Sequence, residues 1–497
     1  MNILLVSSEA VPFAKTGGLA DVCGTLPVEL AKLGHQPVVV LPAYRGVGQL
    51  GVPLDDTGIE LEIPIGAKNV SGRILKSQLP GSSVPVYLIH QPEYFDRAGI
   101  YGDGDGEYVD NCERFVFFCR AVLEALRELD LQVDLIHLND WPTGLIPAYL
   151  RIEYAGVPGY EQIATLLTIH NLAYQGTFWH WDMLLTGLDW KYFNWRQMEF
   201  HGELNFMKTG LVFADAINTV SPQYAEEIQS PPLGCRLDSL LRDRRDSLSG
   251  IINGVDYSVW NPSTDAHIAT QYDETSLVEG KAACKADLQQ ALGLAVVADT
   301  PLLGVVGRLV DQKGLDLILP LMRQWAPVGR IQWAVLGTGS LQLEKQLRQL
   351  AAEFPHQISA RIGFSDQLAH RIEAGADLFV MPSRYEPCGL NQLYSLKYAT
   401  VPVVRKTGGL ADTVTDTTAE SLADGTATGF SFVPYTCDGL ADTVNRAVKL
   451  YRTDKKAWHQ IMRTGMRQDW SWSRSARRYT ALYETTVARR NAELVSG

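Results

Sequence analysis

Lys15-Thr16-Gly17-Gly18-Leu19-Ala20-Asp21 decides how the chain folds. The apolar run Ile3-Leu4-Leu5-Val6 precedes it, short enough for a buried strand, and Val22 to Leu33 carries apolar residues at helical spacing. A strand, a Gly-Gly turn and a helix point free backbone N–H groups at an anion. Glycine lets the backbone approach a phosphate or a sugar, and Lys15 adds a mobile positive charge. For a lone Gly-Gly pair, a tight turn without a ligand is the plainer explanation. Here Lys406-Thr407-Gly408-Gly409-Leu410-Ala411-Asp412 repeats all seven residues in the second half. The repeat predicts two similar α/β domains, each presenting a ligand-binding turn to a shared cleft.

At 497 residues the chain exceeds one ordinary core, and two large domains fit better. Its net charge of −12 argues against nucleic-acid and anionic-membrane binding. That charge still permits a phosphate in a locally basic cleft and suits a neutral polymer such as a glucan. The 7 cysteines form no CxxC pair and no zinc-spaced Cys/His cluster, which predicts reduced thiols in a cytoplasmic setting. The first residues lack a basic n-region, so they read as a strand of the mature domain. No apolar run reaches membrane-spanning length.

In the first half, apolar runs at 2–7, 36–41, 84–89, 133–138, 164–169 and 216–220 alternate with amphipathic segments, predicting a parallel sheet covered on both faces. Ligands in such folds sit at the carboxyl ends of strands. The residues there are the Lys15 loop, Asn139-Asp140-Trp141, His170-Asn171-Leu172-Ala173-Tyr174-Gln175-Gly176, and Ser221-Pro222. Asn171 and Gln175 are hydroxyl-binding types beside His170, and Trp141 and Tyr174 are expected to stack on sugar faces. Asp103-Gly-Asp105 spells a metal-binding string, but its glycine-rich surroundings read as a solvated turn. The stretch 230–249 reads as an exposed excursion, and the domain boundary is expected near residue 260.

In the second half, the strand 302–306 ends at Gly307-Arg308, and Lys313 stands before a helix. Two cations at a helix N-terminus suit a diphosphate. Gly337-Thr338-Gly339 is half a Rossmann signature, suited to close backbone approach to a nucleotide. Gly363-Phe364 ends the next strand, with Phe364 expected to flank an adenine ring. In Pro382-Ser383-Arg384-Tyr385-Glu386-Pro387-Cys388-Gly389-Leu390, the Pro and Gly fix a turn that holds Glu386 at a helix entrance. Glu386 could grip sugar hydroxyls there, and the N–H groups of Gly389 and Leu390 could face a phosphate.

Taken together, KTGGLADV (15–22), NDW (139–141), TIHNLAYQG (168–176), NFMKTGL (205–211), INGVDYSVWNP (252–262), GRLVDQKG (307–314), PSRYEPCGLNQLYSLKYA (382–399) and KTGGLADTV (406–414) resemble the bacterial glycogen synthase and plant starch synthase family, glycosyltransferase family 5. The resemblance covers essentially the whole chain. It implies a GT-B fold of two Rossmann-like α/β domains, 1–260 on the acceptor side and 261–474 on the nucleotide-sugar side, with a helix at 475–497 packing back on the first. It implies transfer of glucose from ADP-glucose to the 4-hydroxyl at the non-reducing end of an α-1,4-glucan, with retention, and with neither cofactor nor metal. By position, Lys15 and Gly18 resemble the donor-binding loop supported by Asp21. His170 resembles the contact to the transferred glucose, and Asn253 a sugar and phosphate contact. Arg308 and Lys313 resemble the cations on the leaving diphosphate. Glu386, Cys388, Gly389 and Leu390 resemble the loop on glucose and phosphate, and Tyr101 and Asp140 resemble acceptor-side residues. Pro142, Phe364 and Asn391 depart from the common His, Tyr and Thr, and Tyr394 stands where related retaining families place a second Glu. A UDP-glucose-dependent relative and a silent glucan-binding relative remain alternatives.

Overall fold

The computed structural model describes residues 1–104 and 106–496. Asp105 of the Asp103-Gly-Asp105 string therefore lies outside the described residues. The chain divides into two compact units. The first comprises 1–220, 225–254 and 472–497; the second comprises 221–224 and 255–471. The division thus falls after Gly254 and before Trp472, rather than at 260 and 474.

In the first unit, β1 (Asn2–Val6) runs through the Lys15 loop into α1 (Gly18–Lys32) and β2 (Gln36–Pro42). Then follow β3 (Asp55–Ile65), β4 (Lys68–Gln78), β5 (Pro85–His90), α2 (Asn111–Glu128), β6 (Leu135–Asn139), β7 (Ala164–Ile169), α3 (Phe206–Phe213), β8 (Ala216–Thr219) and β9 (Leu248–Gly250). The sheet order is β9-β8-β7-β6-β1-β2-β5-β4-β3. From β9 to β5 the pairing is parallel; β4 joins β5, and β3 joins β4, antiparallel. β6 and β7 are buried along their whole length, as strands covered on both faces must be. The β3–β4 hairpin went unread in the sequence, although Ile59-Glu60-Leu61-Glu62-Ile63 alternates as a half-buried strand should.

In the second unit, α4 (Leu277–Leu292) precedes β10 (Leu302–Val306), α5 (Leu315–Trp325), β11 (Gln332–Gly337), α6 (Leu341–Glu353) and β12 (Ile358–Ile362). α7 (Asp366–Gly375), β13 (Leu378–Met381), α8 (Asn391–Lys397), β14 (Val401–Arg405), α9 (Gly408–Thr413) and β15 (Phe430–Phe432) complete the sheet. Its order is β12-β11-β10-β13-β14-β15, and all pairings are parallel. Trp333, Val335 and Val380 face one core, and Ala334, Leu336 and Phe379 the other, as strand alternation requires. α10 (Cys437–Thr453) and α11 (Lys455–Arg467) follow.

The last helix, α12 (Trp472–Ser496), returns to the first unit. Tyr483 Oη lies 2.8 Å from Nδ1 of the fully buried His137, and Tyr479 Oη accepts from Asn218 Nδ2 at 3.1 Å. Among the described residues no helix is long and apolar enough to cross a membrane.

The strand orders place two switch points. In the first unit the chain moves from β1 to β2 on one side and later to β6 on the other. In the second it moves from β10 to β11 on one side and to β13 on the other. Loops leaving adjacent strands in opposite directions open a crevice at their carboxyl ends. Those loops carry Lys15 and Asp140 in one unit, and Arg308, Lys313 and Glu386 in the other.

Candidate functional site

In the first unit the Lys15 loop is organised by a carboxylate that sequence reasoning passed over. Glu9 is 3% exposed and sits directly after the buried end of β1. It accepts from Thr16 N (2.5 Å), Thr16 Oγ1 (2.6 Å) and Gly17 N (3.3 Å). Tyr101 Oη also donates to it at 2.8 Å, with Ser8 Oγ 2.7 Å from the same hydroxyl. The turn therefore already holds an internal anion on the N–H groups of residues 16 and 17, which corrects the expectation that both await a ligand. Tyr101 is a strut of this network, and burial pushes its phenol well above its ordinary pKa. Lys15 Nζ reaches Asp21 Oδ1 at 2.7 Å on the surface, and Gly18 begins α1.

Trp141 is 9% exposed and packs against Phe115 at 4.8 Å between ring centroids. It is a core residue, not a sugar platform. A Cβ on Gly176, which sits at φ +60°, would come within 2.3 Å of the Trp141 ring, so only glycine fits.

Asp140 and His170 come together beneath this loop. Asp140 has φ +56°, an unusual conformation for an aspartate, and its Oδ1 accepts from His170 N at 2.7 Å. Burial raises its pKa to about 7, against the opposing hydrogen bonds from the N–H groups of His170 and Asn171. His170 Nε2 lies 2.9 Å from Asn139 Oδ1. Asn139 Nδ2 donates to the carbonyls of Val6 (3.1 Å) and His137 (3.4 Å), which makes Oδ1 the acceptor. The proton is thereby assigned to His170 Nε2 and the lone pair to Nδ1. Burial lowers the imidazole pKa to about 3, so this ring is neutral and offers an acceptor.

Gln175 spends both ends of its amide within the protein, and Asn171 its carbonyl oxygen. Asn171 Oδ1 accepts from Ala173 N at 3.1 Å. Gln175 Nε2 donates to the carbonyls of Leu172 (3.2 Å) and Cys235 (3.1 Å), and its Oε1 accepts from Asn205 Nδ2 at 3.0 Å. The bond to Cys235, with Arg244 donating to Leu211 O at 2.7 Å and Val212 O at 3.0 Å, docks the 230–249 excursion against the unit. That segment is not a free surface loop. Asn253 is 4% exposed, and its Oδ1 has no hydrogen-bond partner among the described residues.

In the second unit Lys313 Nζ pairs with Glu386 Oε2 at 2.6 Å, and Ser383 Oγ donates to the same oxygen at 2.9 Å. Arg308 is exposed, and its guanidinium pairs with no carboxylate among the described residues. Cys388 is buried, and Gly389 lies at φ +71° before Leu390 and α8. Gln392 Nε2 fastens that turn by donating to the carbonyls of Cys388 (3.1 Å) and Gly389 (3.0 Å). Asn391, a departure from the family pattern, donates to Val306 O at 2.7 Å and ties α8 to the end of β10. Tyr394 stacks on Trp260 with centroids 4.0 Å apart, and Trp260 stacks on His370 at 3.8 Å.

The glycines at 337 and 339 serve the fold. A Cβ on Gly337 would stand 2.0 Å from Gly307 O, and one on Gly339 2.3 Å from Leu309 O. Gly339 N donates to Glu344 at 3.0 Å. The close approach read for a nucleotide at these two positions is made by the β10 loop instead. Gly363 N donates to Gly337 O at 3.0 Å, and Phe364 is 90% exposed. The second heptad also faces inward. Gly409 N donates to Glu386 O, and Asp412 Oδ2 accepts from Ser221 Oγ at 2.5 Å and Gln223 N at 3.0 Å. Among the described residues no group of three or more His, Cys, Asp or Glu is arranged to hold a metal ion.

The starch synthase catalytic domain family matches residues 2–243, and glycosyl transferases group 1 matches 293–462. A glycogen synthase of Rhodopirellula baltica is 48% identical over 98% of this chain and 98% of its own length. One of Syntrophotalea carbinolica is 45% identical over 98% and 99%. The catalytic domain of starch synthase IV from Arabidopsis thaliana, bound to ADP and acarbose, aligns with a TM-score of 0.88 at 30% identity, covering 98% of this chain and 99% of that one. A sucrose-phosphate synthase from Thermosynechococcus elongatus shares the fold, with a TM-score of 0.60 at 17% identity over 98% and 99%.

Proposed function

The chain belongs to the glycogen synthase and starch synthase family of GT-B glycosyltransferases, and from that premise we propose that it transfers glucose from ADP-glucose to the non-reducing-end 4-hydroxyl of an α-1,4-glucan with retention. The observation that carries this reading is identity of 48% to a glycogen synthase along 98% of both chains. The setting proposed is the cytoplasm.

In this reading the bond from the anomeric carbon to the diphosphate oxygen breaks, and the acceptor 4-oxygen bonds to that carbon on the same face. The acceptor's proton passes to the departing diphosphate. Arg308, with no carboxylate to neutralise it among the described residues, is assigned to the charge that develops there. Lys313 is assigned to the same charge, with Glu386 holding its ammonium in place and also meeting glucose hydroxyls. The N–H groups of Gly389 and Leu390 are assigned to the phosphate, and Phe364 to the face of the adenine. In the first unit Lys15 is assigned to the donor, and the neutral His170 accepts a glucose hydroxyl at Nδ1. Asn253 Oδ1, buried and without a hydrogen-bond partner among the described residues, calls for a donor, which a ligand hydroxyl supplies.

The test is transfer of labelled glucose from ADP-glucose, with UDP-glucose in parallel, to a maltooligosaccharide. Transfer from ADP-glucose that persists in excess EDTA is expected. No transfer from ADP-glucose, or a strict metal requirement, would refute the assignment.

A further inference from the structure

Four of the eleven tryptophans fall between residues 179 and 195, and all four are exposed: Trp179 at 62%, Trp181 at 49%, Trp190 at 41% and Trp195 at 71%. None is used by the residues assigned above. Exposing so much indole costs solubility, and patches of this kind mark binding surfaces.

The rings are ordered relative to one another. Trp181 and Trp190 lie 5.4 Å apart at 37°, and Trp190 and Phe193 lie 5.0 Å apart at 36°. Trp181, Trp190 and Phe193 thus form a ladder of three rings in tilted contact. An α-1,4-glucan offers an apolar C–H face on each successive sugar, so it suits such a run of exposed rings. Charge points the same way. From 179 to 196 the acids Asp182 and Asp189 cancel the bases Lys191 and Arg196 (2 − 2 = 0). A strip without net charge attracts neither a polyanion nor a polycation, and it leaves a neutral hydroxylated polymer.

The scaffold beneath is firm. Lys208 Nζ donates to Trp195 O (2.6 Å) and Glu199 O (2.5 Å), and Tyr149 Oη donates to Thr186 O at 3.0 Å. Met183, Leu188 and Met198 anchor the segment in the interior. Rings fixed in advance lose little freedom on binding. The stem also joins the candidate site: Thr177–Phe178 pairs with Glu203–Asn205, and Phe206 N donates to Gly176 O at 3.0 Å, within the loop that carries His170.

We propose that this aromatic ladder is a second, non-catalytic binding site for an α-1,4-glucan, holding the polymer on the first unit while its end is extended. The proposal rests on the glucan-acceptor reading above. The experiment is native electrophoresis through gels containing glycogen, comparing the wild type with the Trp181→Ala/Trp190→Ala double variant. The dissociation constant for glycogen should rise about tenfold or more. The KM for glycogen should rise with it, while kcat on a short maltooligosaccharide stays unchanged. Trp181→Phe/Trp190→Phe keeps the rings and should restore most of the affinity, which separates ring loss from misfolding. Equal retardation of wild type and double variant would overturn the site. So would a fall in particle mass by light scattering with glycogen affinity intact, because the ladder would then join two copies of the chain. The gel needs no turnover, so a wild type that binds glycogen yet transfers no glucose would refute the activity reading alone.

Discussion

At the scale of single residues, the two cations assigned to the diphosphate differ in their surroundings, and the difference separates chemistry from stability. The Arg308 guanidinium makes no ion pair or hydrogen bond among the described residues, and the one bond of its backbone carbonyl, from Val310 N, does not depend on the side chain. Arg308→Ala should leave the melting temperature unchanged and lower kcat by roughly 10²–10³, the loss seen when one preorganised charge-stabilising donor is removed. Lys313→Ala should lower both, because it strands the nearly buried Glu386 carboxylate without its partner at 2.6 Å. Paired melting curves and initial rates decide this, and an Arg308→Ala enzyme with normal turnover would refute the role. Asp140 adds a pH dependence. Its folded pKa of about 7 lies above the ordinary aspartate value of 3.8, so the folded state holds the proton more tightly than the unfolded chain does. Its contribution to stability is full below about pH 4 and is lost as pH rises through 7. Asp140→Asn keeps an acceptor for His170 N and removes the titration. The melting temperature of the wild type should therefore fall relative to the variant between pH 4 and 7. A difference that stays flat over that range would count against the burial argument.

At the scale of elements, the two copies of one heptad show what a sequence pattern can and cannot convey. Gly17 has an extended backbone, with φ −158°, and nothing within 4 Å of where its Cβ would stand. Gly409 has Cys388 O at 1.9 Å from that point, and Gly408, at φ +44°, has Glu386 O at 2.1 Å. Gly409→Ala should therefore displace the 386–390 turn, lower the melting temperature and abolish most transfer. Gly17→Ala should melt like the wild type and change only the KM for the donor. Equal melting temperatures for the two variants would show that the second turn is not packed as described. The strand–turn–helix units around both heptads were legible because apolar runs and Gly-Gly pairs are local signals. The internal use of the second turn was not legible, since it depends on a loop some twenty residues earlier coming within bonding distance of its backbone. The same holds for Glu9. Its place after β1 is visible in the sequence, whereas its four hydrogen bonds to Thr16, Gly17 and Tyr101 exist only once the chain has closed. Trp141 was misread for a related reason, because residue type does not report burial.

At the scale of the whole molecule, the first unit is discontinuous: its last helix is made only after the entire second unit has been synthesised. The family resemblance implied a terminal helix packing back on the first domain, but not the polar pairs that α12 completes. Removing α12 would take away Tyr479, Tyr483 and Trp472, all buried against the first unit, and would strip partners from His137 and Asn218 inside the sheet. A buried polar group left unpaired costs about 1–3 kcal/mol. For a domain of this size, each kcal/mol corresponds to a shift of about 2–4 °C. Tyr483→Phe, which deletes only the hydroxyl facing His137, should therefore lower the melting temperature by several degrees while leaving the KM for ADP-glucose unchanged. A chain ending at Ser471 should fail to form the first unit altogether, and limited proteolysis of it should degrade residues 1–220 while sparing 255–471. Protection of 1–220 in that truncated chain would mean that the first sheet closes its core without α12, and that the tyrosine pairs are dispensable.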